Sequence, residues 1–346
     1  MSAARHHIVI GSGVAGSQAA ETLRSRDPGS RVTMITLSNL PFYNRYDLPR
    51  VFRGERDWRH FLVRPPAFYT EQRIGLRRAC QVASVDVRRR VVTLAHNEAV
   101  PFDTLLVASG GHSHLPAELT DYRHLMHGFG SFEEAVAVAR ALPEGGHVLM
   151  LGGDMIGLDL ARTLIATGYR VTLVAGEQTF WPHEVEGDQR VRLLDSLRGV
   201  GIEVIDCLAC GGVAALEQGA SGLAARRVRM RDGREVHGDV VMPFFGLVPS
   251  VEFMVRAGVD IERGLLVNKA LRTTDERIYA AGDVCQIWSD EEHRYRFYYG
   301  WKNVRAMGEL AARNMTGADE AFHSAQDEHL EIGQDGTIRS PFWEYQ

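Results

Sequence analysis

"HHIVIGSGVAGSQAAETLRSRDPGSRVTMIT", residues 6–36, decides the fold. A short apolar run, His7 to Ile10, ends on Gly11, Gly13 and Gly16, and Ala19, Ala20 and Leu23 then recur at helical spacing. "RDPGS" stops that helix and "RVTMIT" begins a second strand. Strand, glycine turn, helix, strand is the unit that places a helix N-terminus against a diphosphate. The first glycine makes the tight turn, the second lets the backbone approach the ligand, and the third lets helix pack on strand. A lone G-x-G-x-x-G is weak evidence, but directly after a strand and opening a helix it is much stronger.

A second copy begins at His147. "VLMLGGDMIGLDLA", residues 148–161, runs into "RTLIATGYRVTLVA" and sets Gly152, Asp154 and Gly157 where three glycines belong. An aspartate at this point caps the helix, worth roughly 0.5–2 kcal/mol. A carboxylate there is also expected to face the diphosphate and compete for the same N–H groups. The expected penalty is a few kcal/mol, roughly two or three orders of magnitude in affinity. Between the copies, "VASVDVRRRVVTLAHNEAVPFDTLLVASG" alternates as paired strands do. After Val200 come further short strands, then "IYAAGDVC" and a closing helix, "NVRAMGELAARNMTG". The pattern predicts an α/β chain of two three-layer nucleotide-binding domains, the second inserted into the first. Turn-rich "GGHSHLPAE" and "GLVPSVE" set the boundaries. They give 1–115 with 249–317 as one domain, 116–248 as the other, and 318–346 as a short tail.

Bulk composition agrees. The 346 residues are 45% hydrophobic and 24% charged, within the globular range. Lys and Arg number 39 against 44 Asp and Glu, net −5, with no massed basic face, so no nucleic-acid partner is expected. No apolar run is long enough to span a bilayer, and the N-terminus has no apolar signal region, so a cytoplasmic protein is expected. Four cysteines are too few for a disulfide scaffold. Cys207 and Cys210 form a C-x-x-C, but no second pair or nearby histidine pair completes a metal site, so no metal is expected. All four are read as free thiols without catalytic duty.

With "IYAAGDVC" in place, the chain resembles the two-dinucleotide-domain flavoprotein reductases, the pyridine nucleotide-disulfide oxidoreductase-like proteins. It is most similar to their rubredoxin reductase and nitrite reductase large-subunit branch. The likeness rests on the glycine turns, on "YNRYDLPRVFRGE" (43–55) and on "GWKNVRAMGELAARNMTG", in the family's order. It implies Rossmann-like domains and FAD. Gly11, Gly13, Ala15 and Gly16 would meet the diphosphate. Ser109, Gly110, Gly282 and Asp283 would line the flavin side, with Asp283 accepting from ribityl hydroxyls. Thr36 stands where the family usually has an acid for the adenosine ribose. Arg45 is placed near the flavin ring and, by the family's pattern, paired with Asp159, these two being the catalytic candidates. Trp301, Lys302 and Asn303 would open a helix aimed at the flavin's pyrimidine edge. The redox disulfide of some relatives is not evident, since "RYDLPRVF" holds no cysteine.

For NAD(H), the resemblance implies Gly152, Gly153, Asp154, Ile156, Gly157 and Asp159. Ala175 replaces the ribose-binding acid, with Glu177 two residues on. No arginine cluster follows, which disfavours NADP. Two readings stand. One is an FAD-dependent oxidoreductase passing electrons between NADH and a protein carrying an iron–sulfur or other metal centre. The other is an FAD-containing electron-transfer or scaffold subunit of a larger redox complex with a degenerate NAD site. The tail, with Phe342, Trp343 and Tyr345, is expected to pack on its own chain or to dock a partner or second subunit.

Overall fold

Strand His6–Ile10 is buried at every residue, as a central parallel strand must be when helices and strands cover both its faces. In the computed structural model, which describes residues 4–208, 211–219, 226–325, 331–333 and 338–339, it lies mid-sheet. The order is Ile278–Ala280, Thr104–Val107, His6–Ile10, Arg31–Ile35, Ile74–Arg77, with every neighbouring pair parallel. Helix Val14–Arg26 buries Ala19, Ala20 and Leu23 against it, the positions that the helical spacing selects. The closing helix, Trp301–Met315, crosses beside it. They approach so closely that a Cβ on Gly308 would lie 2.2 Å from the Ala15 carbonyl oxygen. An antiparallel sheet of Val82–Asp86, Val91–Leu94 and Ala99–Pro101 adds Val85, Val92 and Leu94 to the same core.

The second unit repeats the plan. Its parallel sheet runs Glu203–Asp206, Arg170–Ala175, His147–Gly152, Val240–Phe244. Helices Phe132–Ala141, Met155–Ala166 and Gly187–Gly199 contribute to one core cluster. An antiparallel sheet of Val213–Gln218, Arg226–Met230 and Glu235–Gly238 contributes to another. The two connections between the units pair as an antiparallel ribbon, Gly111–Ser113 with Leu247–Pro249.

The segment after the second strand holds the units together. It forms 3-10 helices Arg45–Arg53 and Trp58–Phe61, and Leu48, Val51, Phe52 and Phe61 sit in the second unit's core. In the tail, Glu331–Ile332 pairs with Ile338–Arg339, and Ile332 packs against that same core. Phe342, Trp343 and Tyr345 lie outside the described residues. Among the described residues no helix is long and apolar enough to cross a membrane, and no cluster of side chains is suited to a metal ion.

Candidate functional site

The site is built at the carboxyl ends of the two parallel sheets, where open α/β sheets bind ligands. In the first turn, Gly11 has φ +106° and a Cβ there would lie 2.0 Å from the Ala108 carbonyl oxygen. A Cβ on Gly16 would lie 2.1 Å from the Gly11 carbonyl oxygen. Those two glycines are fixed by the fold. Gly13 is different. It is the N-cap of helix Val14–Arg26 with extended backbone (φ −75°, ψ −164°), and a Cβ there would meet nothing within 4 Å. Among the described residues no acceptor bonds the amides of Ser12, Gly13, Val14, Ala15 or Gly16. Five such donors at a helix N-terminus, beside open space, form an anion cradle. The FAD diphosphate that the sequence implies fits it.

The flavin side is assembled from three segments. Gly282, at φ +84°, would bring a Cβ within 3.4 Å of the Ala15 side chain, so the loop after strand Ile278–Ala280 abuts the first turn. Burial pushes the Asp283 carboxyl up to about 6, and the nearby Arg45 guanidinium pulls it the other way. Burial, then the Asp283 charge, raise the Tyr299 hydroxyl well above its ordinary range. Trp301 stacks on Phe42 and meets Tyr46 edge-on, each with centroids 6.3 Å apart. Asn303 is internally engaged: its Nδ2 donates to the Tyr299 carbonyl (3.0 Å) and its Oδ1 accepts the Ala325 amide (2.8 Å). Ser109 donates to the Ser250 carbonyl at 2.8 Å, and Gly110 beside it has φ +65°. Thr36 is buried, its hydroxyl accepting from Ser12 Oγ (3.0 Å) and the Ser38 amide (3.2 Å).

One expected charge pair needs correction. Asp159 pairs with Arg162 at 3.2 Å, not with Arg45, and the other cation that acts on it is Arg53. Arg45 is exposed, and its field falls on Asp283 instead. The 3-10 turn separates Arg45 from Arg53 and gives each a different acid. The thiols differ too. Cys80 and Cys285 are free, but Cys207 is disulfide-bonded, and Cys210 lies outside the described residues. Burial raises the Cys285 thiol far above its ordinary range, which leaves it unreactive.

The second turn keeps the geometry and changes the occupant. A Cβ on Gly152 would lie 2.1 Å from the Phe244 carbonyl oxygen, one on Gly153 2.7 Å from Leu173, and one on Gly157 2.5 Å from the Phe244 ring. All three are packing glycines. Asp154 is the N-cap of helix Met155–Ala166 (φ −64°, ψ 172°). Its carboxylate caps that helix, as expected, and is buried, 3% exposed. One oxygen accepts the Gly157 amide and the other the Gly246 amide, both at 2.9 Å. Burial pushes this carboxyl up to about 6, against the pull of those amides. The Gly153 and Asp154 amides donate to the Phe244 carbonyl, and the Met155 amide donates to the Trp181 carbonyl. Ile156 follows in that first helical turn, while Ala175 is fully buried and Glu177 exposed.

Trp181 and Gly246 were not singled out by the sequence. "TFWPHE" carries no periodic signal, and only the aromatic beside a proline marks it as a fixed turn. Its ring meets Tyr299 edge-on at 4.7 Å, and a Cβ on Gly246 would come within 2.7 Å of that ring.

Residues 5–309 match the family model described as pyridine nucleotide-disulphide oxidoreductase. The chain is 30% identical over 325 residues to the anthranilate 1,2-dioxygenase system ferredoxin–NAD(+) reductase component of Burkholderia cepacia, covering 91% of this chain and 76% of that one. It is 27% identical over 280 residues to the rubredoxin–NAD(+) reductase of Pseudomonas putida, covering 80% and 71%. Its fold is shared with the reductase-containing covalent putidaredoxin reductase–putidaredoxin structure, with TM-score 0.81 at 22% identity, over 94% of this chain and 78% of that one. The chain belongs to the pyridine nucleotide-disulphide oxidoreductase family.

Proposed function

We propose that the protein is an FAD-dependent oxidoreductase that takes electrons from NADH and passes them to a small protein carrying an iron–sulfur or similar metal centre. The observation that carries this reading is the cradle at Gly13, where five amide donors have no acceptor among the described residues and the space beside Gly13 is open. FAD held there would supply hydride acceptance and one-electron release, the chemistry that links a two-electron donor to a one-electron acceptor. The chain's part is to hold and tune it. Gly11, Gly13 and Gly16 set the backbone for the diphosphate, and Ala15 and Gly282 bring the Asp283 loop to the same turn. Asp283 offers acceptors to sugar-like hydroxyls, and Arg45 keeps a positive charge beside it. Trp301, in ring contact with Phe42 and Tyr46, opens the helix whose N-terminus favours added negative charge on the ring system.

The acceptor class comes from relatives that are named as ferredoxin and rubredoxin reductases. We assign the protein to the cytoplasm, where NADH is available. The scaffold reading draws on one observation, the buried Asp154 carboxylate in the second turn. Anaerobic mixing of the flavin-loaded protein with NADH, then NADPH, followed at the flavin band, decides between the readings. Bleaching by NADH and onward reduction of a two-iron ferredoxin or a rubredoxin are expected, with NADPH much slower. Bleaching by dithionite alone would leave only the scaffold.

A further inference from the structure

The two oxygens of Asp154 join elements that a bound dinucleotide would otherwise join. Gly157 lies in the first turn of helix Met155–Ala166. Gly246 opens the loop beyond strand Val240–Phe244, the sheet neighbour of His147–Gly152. The carboxylate therefore bridges the crevice between two adjacent strand ends, on the helix N-terminal donors that attract a phosphate. It has the charge and paired acceptor oxygens of a phosphate, and it is held by the same kind of donor. A second observation points to the same crevice. The Trp181 carbonyl takes the Met155 amide at 2.9 Å, and the Trp181 ring covers Gly246 and reaches Tyr299. In the second turn the chain thus supplies acceptors for donors whose counterparts around Gly13 have none among the described residues.

We propose that Asp154 is a specificity-determining residue, a built-in anion that occupies the diphosphate cradle of the second unit, so that a pyridine nucleotide enters only by displacing it. The inference rests on the NADH-reductase reading. Displacement requires moving a buried carboxylate off two amides, and any phosphate that shares the cradle with it also meets its charge. Both effects weaken NADH binding and leave the hydride-transfer geometry, fixed elsewhere, unchanged.

The test is anaerobic stopped-flow reduction of the FAD-loaded protein over a range of NADH concentrations, for wild type, Asp154→Gly and Asp154→Ser. The glycine variant empties the cradle, while the serine variant removes the charge and keeps a hydroxyl cap on Gly157. Flavin content and reduction by dithionite confirm that each variant is folded and loaded. Asp154→Gly is expected to lower the apparent Kd for NADH at least tenfold, with the limiting rate of flavin reduction within twofold. Asp154→Ser should fall between the two. A residue that only stabilises its helix would shift the melting temperature and leave the Kd alone. A Kd unchanged or weakened in both loaded variants overturns the inference while the reductase reading survives. If neither wild type nor variant is reduced by NADH although dithionite bleaches both, the reductase reading fails, and this inference with it, because the emptied cradle binds nothing.

Discussion

Gly13 and Asp154 hold the same place in two copies of one device. Each precedes the first helix of its unit in extended backbone, at φ −75° and −64°. Each comes two residues after a glycine at its strand's end that is fixed by a carbonyl about 2 Å from where a Cβ would be, Ala108 for Gly11 and Phe244 for Gly152. What differs is the fate of the donors. In the first turn no acceptor among the described residues takes them, and in the second they are spent on Phe244, Trp181 and Asp154 itself. The scaffold alone therefore does not make a diphosphate site. One side chain and one neighbouring loop decide whether the donors are left for a ligand or consumed.

The largest expected effect comes from making the first turn like the second. Gly13→Asp introduces a side chain where φ is negative and nothing lies within 4 Å, so the backbone carries no strain. As an N-cap the new carboxylate stabilises the ligand-free helix by about 1 kcal/mol. It also takes the donors and opposes the diphosphate. FAD affinity should drop by roughly three orders of magnitude, giving colourless protein with an unchanged far-ultraviolet circular dichroism spectrum. A yellow Gly13→Asp protein of normal stoichiometry would show that the first cradle is not where the diphosphate sits.

This contrast explains what the sequence disclosed. The strand, turn and helix of each unit follow from apolar runs, glycines and helical spacing, and so do the alternating strands from Val82 to Val107. The glycine pattern was legible, but its cause was not. Gly152 and Gly157 match the fingerprint because Phe244 leaves no room for a Cβ, a contact made across roughly ninety residues. The burial of the Asp154 carboxylate was not legible for the same reason. Its second partner, Gly246, belongs to a loop that no local pattern connects to it. The acid partner of Arg45 was missed because residues 45–61 form 3-10 turns, whose irregular facing defeats a helical or strand period.

A smaller effect separates burial from capping at Asp154. Its folded-state pKa, raised to about 6 from an unfolded value of 3.8, means that the folded form binds the proton more tightly. The stability that this proton contributes is fully present below the unfolded value and is lost as pH rises through about 6. By neutral pH the loss is about 3 kcal/mol. Asp154→Asn carries no such proton. Urea midpoints of flavin-free wild type and variant, measured across this window, should diverge in the variant's favour as pH rises. Parallel profiles would mean that the two amides already compensate the buried charge.

The smallest effect is expected at Cys207, the residue whose state the sequence misread. It follows strand Glu203–Asp206, at the edge of the second sheet, and its amide bonds the Ala175 carbonyl at 2.7 Å. Strand Arg170–Ala175 lies between that edge and His147–Gly152, so the sulfur sits roughly two strand spacings, about 10 Å, from the second glycine turn. The first turn, in the other sheet, is further removed in topology. A disulfide at Cys207 can brace the edge of the sheet, while the Cys207 sulfur stays out of reach of an electron carrier held at Gly13. Replacing Cys207 and Cys210 together by serine should therefore leave flavin content, the NADH reduction rate and onward transfer within twofold of wild type, and should at most lower the melting temperature by a few degrees, as loss of a crosslink does. If the double variant keeps its flavin and its reduction by NADH but loses transfer to the protein acceptor, the dithiol lies on the electron path. The edge of the second sheet, not either glycine turn, would then be the exit from the flavin.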